Sequence, residues 1–193
     1  MLDKIIEYDK ELFLFLNNLG NENWDAFWMF MTHKLSAIPL YLFLLILCIK
    51  KLGYKQTLLV LVLVALMITA TDQLANVFKY GFERLRPCHD DTVFNKMRLV
   101  KSYCGGKFGY FSAHAANSFT VATFFSLLFN KSIKWLPALL LLWALIVAYS
   151  RIYIGVHFPL DVVTGICIGL LFGWLFYFLF CFFRKRFSFF INY

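Results

Sequence analysis

Long apolar runs, broken by short polar clusters, set the pattern of this chain. A membrane-crossing helix needs about 20 predominantly apolar residues, and five windows approach that length: 27–49, 57–78, 113–130, 134–151 and 160–183. The first is the least clean. Ala37 to Ile49 alone is too short, so its helix is expected to run back past His33 and Lys34, with Lys34 snorkelling to the interface. Ahead of the windows, Met1 to Gly20 sets Asp3, Glu7, Asp9 and Glu11 with Lys4 and Lys10 around Leu2, Ile5, Ile6, Leu12, Phe13 and Leu16. That spacing predicts an amphipathic helix lying in the interface. A cleaved signal peptide would instead hold an uninterrupted apolar core.

Composition decides the solvent. Hydrophobic residues make up 61% of the 193 and charged ones only 16%, with a mean hydropathy of +0.69. A water-soluble domain of this size could not hide that balance in one core. With no linker, repeat or low-complexity tract to divide it, residues 1–193 read as a single membrane-embedded domain. The fold class is all-α, a polytopic helical bundle of about five spans plus the N-terminal interfacial helix.

The net charge of +8 is spread between apolar runs rather than gathered in one soluble patch, which points to anionic lipid and away from nucleic acid. No obligate protein partner is signalled. Lys50, Lys51 and Lys55, then Lys131 and Lys134, then Arg184, Lys185 and Arg186 all follow alternate spans, and mark one face as cytoplasmic. The opposite face holds the N-terminal segment, the long 80–112 connection and the short 152–159 turn. That connection is itself basic, through Arg84, Arg86, Lys96, Arg98, Lys101 and Lys107, and cations there suit anion binding rather than topology.

Three polar clusters sit at span ends on this second face: Lys79 with Arg86-Pro87; Ser112-Ala113-His114; and Ser150-Arg151 with His157 and Asp161. An interfacial Lys or Arg alone is usually an anchor. Three cations, two histidines, two serines and a carboxylate at one face instead supply what phosphoryl transfer needs: charge clamps, a nucleophile, a group to orient it and an acid for the leaving group.

These clusters resemble the signature of the type 2 phosphatidic acid phosphatase family, Lys-x6-Arg-Pro, Pro-Ser-Gly-His and Ser-Arg-x5-His-x3-Asp. The first and third match fully, as Lys79 to Arg86-Pro87 and as Ser150-Arg151, His157 and Asp161. The second departs twice, with Phe111 for Pro and Ala113 for Gly, and keeps Ser112 and His114. The resemblance implies an integral membrane lipid phosphatase working through a phosphohistidine. It makes His157 the nucleophile, Asp161 its orienting partner, and His114 the acid for the leaving lipid oxygen and later the base for water. Lys79, Arg86, Ser112, Ala113 and Arg151 would bind the phosphate. Pro159 is suited to the first helical position, which puts Asp161 in the first turn of the last span, within reach of His157. Ala113 adds a methyl group near the anion, which helical geometry tolerates and a positive φ would not.

No cofactor or metal is expected: His33, His89, His114 and His157 are scattered and acidic residues are few. Asp72, inside the second window, is costly there, and either pairs with Gln73, Asn76 or another span or orients Lys79 two turns away. Cys48, Cys167 and Cys181 read as packing residues. Cys88 and Cys104 lie in the 80–112 connection, and a disulfide between them would close a loop of about 17 residues, worth roughly 3 kcal/mol. Two free thiols are the alternative.

Within the family, candidate substrates are undecaprenyl pyrophosphate, lipid A phosphate, phosphatidylglycerol phosphate and phosphatidic acid. The basic Lys96 to Lys107 stretch favours a large, multiply charged head group, lipid A or a pyrophosphate. The expected setting is a bacterial-type inner membrane with the site on the extracytoplasmic side. A phosphotransferase passing the group to a second lipid is the closest alternative, told apart by where a labelled phosphate ends. A small transporter is the non-enzymatic one, and mid-membrane broken helices and repeats would mark it.

Overall fold

The computed structural model describes residues 2–101 and 103–186, without the side chains of Leu2 and Lys34. The snorkelling of Lys34 and the place of Leu2 in the interfacial stripe lie outside the described residues. Among the described residues, seven α-helices follow in order: α1 (Leu2–Asn18), α2 (Glu22–Thr32), α3 (Ile38–Phe82), α4 (Asp91–Phe94), α5 (Ala113–Phe129), α6 (Leu136–Tyr153) and α7 (Pro159–Arg186). By length and composition the helix ending at Phe82, α6 and α7 can each cross a membrane, and α5 is a shorter apolar helix.

The first window is not one helix. Chain direction changes at His33, whose Nδ1 accepts from the Leu35 N–H at 3.3 Å, and a 3₁₀ turn, Lys34–Ala37, precedes α3. Pro39 sits in the first turn of α3. Its ring would clash with an upstream helical carbonyl and it has no N–H to donate, so a helix cannot run through it from residue 27. Farther on, Gly53 at φ +78° interrupts α3. Residues 38–52 and 54–82 are therefore two helices, as the sequence separated them, and glycine takes the left-handed turn between them without a Cβ penalty.

α5 is buried on every side: Ala115, Ala116, Ser118, Phe119, Thr120, Val121, Ala122, Phe124 and Phe125 cover its whole circumference. A helix apolar all round belongs at the centre of a bundle. On α7, Gly165, Gly169 and Gly173 recur every four residues and form the face laid against it. A Cβ built on Gly169 would meet the Ala116 carbonyl at 2.5 Å, and one on Gly173 the Thr123 Cβ at 2.6 Å. Small residues at this spacing let two helix backbones approach closely, which is how helices associate where lipid removes the hydrophobic drive. Outward, Leu58, Leu66, Leu142, Leu171, Trp174 and Phe178 are exposed, an apolar surface that suits lipid and not water.

Because His114 rides on α5 and Asp161 on α7, this seam sets their relative position. Gly169→Leu is expected to force the seam apart, lowering both the thermal unfolding temperature in detergent and turnover. Unchanged values of both would show that the seam is not under packing constraint.

The N-terminal helix departs from expectation in which face it buries. Ile5 and Leu12 are about half exposed, at 48% each, while Asp9, Phe13 and Asn17 are buried. α1 is therefore docked as well as amphipathic, through two polar anchors. Asn17 donates to the Arg98, Ile152 and Tyr153 carbonyls at 3.1, 3.0 and 2.8 Å, and accepts from the Arg98 N–H at 2.7 Å. It thereby adds a donor to the Ile152 and Tyr153 carbonyls at the C-terminal end of α6, where the helical ladder stops.

Candidate active site

Each motif ends or begins a helix, so its residues emerge together at one end of the bundle. Lys79 lies in the last turn of α3, Ala113 and His114 open α5, Arg151 is in the last turn of α6, and Asp161 is in the first turn of α7. Pro159 is the first residue of α7, as its fixed φ favours. The α5 and α7 starts are tied together, since the Ser112 N–H donates to the Asp161 carbonyl at 3.0 Å.

Lys79, Arg86, Ala113, His114, Arg151 and His157 line one cavity of about 580 Å³. Ser112 and Asp161 lie behind them, both fully buried. The Ser112 hydroxyl accepts from the Ala115 N–H at 3.5 Å as the cap of α5. Ala113 is helical, so its methyl group meets no positive-φ penalty. Phe111 fills the place of the family's proline by packing edge-on to Phe78 at 5.3 Å.

His157 is 2% exposed. Its Nδ1 faces Asp161 Oδ2 at 3.5 Å, and its Nε2 lies 3.4 Å from an Arg86 terminal nitrogen. The first distance is within ion-pair range but longer than a well-formed N–H···O bond; such contacts commonly tighten when substrate binds. Asp161 is fixed by other bonds: Oδ2 accepts from the Phe158 N–H at 3.0 Å and Oδ1 from Arg84 at 2.7 Å. Arg86 is held by the Phe108 carbonyl at 3.2 Å. Arg151, 5% exposed, donates to the Thr32 hydroxyl at the end of α2.

Burial, and then the charges of Arg86, Arg151 and Lys79, push His157 well below the usual histidine range. His157 is thus held as a neutral imidazole, the form that can act as a nucleophile. Protonation would block attack, and a lowered pKa moves that loss to more acid pH. The acid-side fall in the second-order rate constant of phosphoenzyme formation, measured by rapid quench at subsaturating substrate so that it reports the free enzyme, is therefore expected below pH 6.5. A limb titrating above 6.5 would mean that His157 is not held in this state.

Three supporting residues were not singled out from the sequence. Arg84 bridges Asp161 to Asp9 of α1, at 2.7 and 2.5 Å, and its guanidinium lies 4.6 Å from the Phe158 ring centroid. Asp9 in turn accepts from the Leu160 N–H at 2.8 Å, capping the start of α7. The available signal was an acid on the face of α1 that also carries Phe13. Thr32, a short polar residue in the first window, had none.

Asp72 finds its partner in another helix, accepting from Asn117 of α5 at 2.8 Å. Cys88 and Cys104 are bonded to each other, with Cα atoms 6.0 Å apart. Among the described residues, they and His89 form the cluster of metal-ligand type, and two of its three donors are joined in that bond.

A cation-lined pocket with a buried, carboxylate-backed imidazole can bind a phosphoryl group and attack it. Residues 57–185 match the sequence pattern described as the PAP2 superfamily. The chain is 38% identical over 171 residues to a lipid A 4'-phosphatase of Bacteroides thetaiotaomicron, covering 88% of this chain and 75% of that protein. It is 34% identical over 172 residues to a lipid A 4'-phosphatase of Porphyromonas gingivalis, covering 87% and 71%. The crystal structure of Aquifex aeolicus LpxE superposes with a TM-score of 0.65 at 28% identity, covering 86% of this chain and 92% of that one. The match over most of the chain, together with this pocket, means that the protein belongs to the PAP2 superfamily and is a membrane phosphatase of phosphorylated lipids.

Proposed function

We propose that the substrate is lipid A phosphate and that the reaction passes through a phosphohistidine on His157. The observation that carries the mechanism is the orientation of His157: Nδ1 is turned to Asp161 and Nε2 to the Arg86 side, among the cations that line the cavity. Nε2 attacks phosphorus while the bond from phosphorus to the lipid oxygen breaks. His114 gives its proton to that oxygen, and Lys79, Arg86 and Arg151 stabilise the charge on the three non-bridging oxygens. His114 then takes a proton from water, the water oxygen attacks phosphorus, and the P–N bond breaks to release inorganic phosphate and restore His157. Ser112 and the N–H groups at the start of α5 complete the anion site.

Lipid A is supported by the two similar 4'-phosphatases and by the basic stretch from Lys96 to Lys107. Undecaprenyl pyrophosphate is the other large anionic substrate that this stretch suits. The chain works as one unit with five crossings, the site facing the extracytoplasmic side of a bacterial-type inner membrane. The basic residues at the opposite span ends support that orientation, as does the Cys88–Cys104 bond, since disulfides persist in oxidising compartments.

Phosphate release from a panel of purified lipids in detergent tests this reading. Lipid A phosphate is expected to lead the panel, with activity retained in excess EDTA and lost to vanadate, whose trigonal-bipyramidal form imitates the transition state. Activity abolished by chelation and restored by a divalent ion would reject the mechanism, and a preference for phosphatidic acid would reject the substrate.

A further inference from the structure

The cavity does not end at the cations. It continues along the helices between Asp72 and Asn117, past Ile68 and Val121, to Val60 and Phe125. Its upper end is charged and its lower end apolar, and the Asp72–Asn117 pair stands between them. Asn117 is one turn beyond His114 and Asp72 two turns before Lys79, which puts the pair about 5 to 10 Å deeper than the phosphate site.

The amide N–H of Asn117 goes to Asp72 at 2.8 Å, while its Oδ1 is buried with no hydrogen-bond partner among the described residues. An acceptor left unpaired in an apolar wall costs free energy, and a carboxylate bonded by one N–H has lone pairs to spare. Both groups accept, and both residues line the cavity below the cations.

We propose that Asp72 and Asn117 form a subsite that selects phospholipids carrying a hydrogen-bond donor, an amide N–H or a hydroxyl, a few bonds from the phosphorylated oxygen. This rests on the lipid phosphatase reading and adds a specificity that the phosphate clamps cannot supply. A site that pairs its acceptors with a substrate donor discriminates strongly against the analogue lacking it, because the acceptors then stay unpaired. Ester-linked lipids offer only acceptors at this depth and would leave both groups unmatched.

Ceramide 1-phosphate and phosphatidic acid of matched chain length separate the cases: both are two-chain phosphomonoesters, and only the first carries an amide N–H and a hydroxyl near the phosphate. In the same detergent, the wild-type protein is expected to favour ceramide 1-phosphate in kcat/KM by at least about tenfold. N-methylation of the amide together with removal of the 3-hydroxyl should erase that preference, a result that needs no variant. In Asn117→Leu the ratio should fall toward one, chiefly through loss on the donor-bearing lipid.

Equal kcat/KM on the two lipids in the wild type would overturn the subsite while leaving the phosphatase reading intact. Loss of the same factor on both lipids in Asn117→Leu, with the ratio kept, would also overturn it, since the pair would then only tie α3 to α5. Release of phosphate from no lipid, lipid A phosphate included, would reject the phosphatase reading and the subsite with it.

Discussion

His157→Ala is expected to abolish turnover, by on the order of 10⁴ to 10⁶-fold, with the protein still folded. The size follows from the site. The cations can still bind phosphate without His157, but the proposed covalent step then lacks its nucleophile: Arg86 and Arg151 are guanidinium groups, and His114, the other imidazole lining the cavity, is assigned the acid–base role. His114→Ala tests the complementary role. With a lipid alkoxide as leaving group it should also lose most of its turnover, since the departing oxygen needs a proton. With a substrate analogue whose leaving group needs no acid, His114→Ala should still form the phosphohistidine and then stall, lacking the base that activates water. Protein quenched in alkaline detergent, which preserves the P–N bond, would carry label in His114→Ala and none in His157→Ala. Label in His157→Ala and none in His114→Ala would reverse the two histidines. Size-exclusion behaviour in detergent and far-UV circular dichroism separate these chemical effects from unfolding.

The clusters were legible because they sit at helix ends, where apolar windows stop and side-chain chemistry stands out. Windows 113–130 and 160–183 fell within a few residues of α5 and α7, since a lipid-embedded helix has to satisfy its backbone internally and so runs as far as the apolar stretch does. The window at 27–49 misled for a local reason: hydropathy continues across His33 and Pro39, and backbone geometry does not. The seam of Gly165, Gly169 and Gly173 was visible as a four-residue repeat, but which helix it meets is a fact of topology.

Support for the catalytic groups was the least legible part. Arg84, Asp9, Thr32 and Asn117 lie up to 151 residues from their partners, and no local pattern joins them; Asp9 and Asp161, on the first and last helices, meet through one guanidinium. A sequence read by motif finds the residues that touch the reacting atoms. It misses those that hold them, because holding requires only a complementary group in the right place, and many residue types at many positions can provide one.

Arg84 is the clearest of these, and Arg84→Met is expected to lower kcat by about 100-fold. One guanidinium binds Asp161 at 2.7 Å and Asp9 at 2.5 Å, so its loss leaves two buried carboxyl groups without their cation. Among the described residues, the Phe158 N–H is then the hydrogen-bond donor left to the Asp161 carboxylate, which can swing away from His157 Nδ1. Burial already pushes Asp9 above the usual carboxylate range, with Arg84 pulling the other way. Without Arg84, Asp9 should take up a proton and loosen its grip on the start of α7. Arg84→Lys should recover part of the loss, since a single ammonium group keeps the charge but not the fork that reaches two carboxylates. Arg84 does not line the phosphate cavity, so KM should move little while kcat falls. Asp161→Asn should cost at least as much as Arg84→Met, and the double variant little more than Asp161→Asn alone, because Arg84 acts through Asp161. Additive losses in that cycle, or a KM that rises with kcat unchanged, would show that Arg84 serves stability or binding instead of holding the partner of the nucleophile.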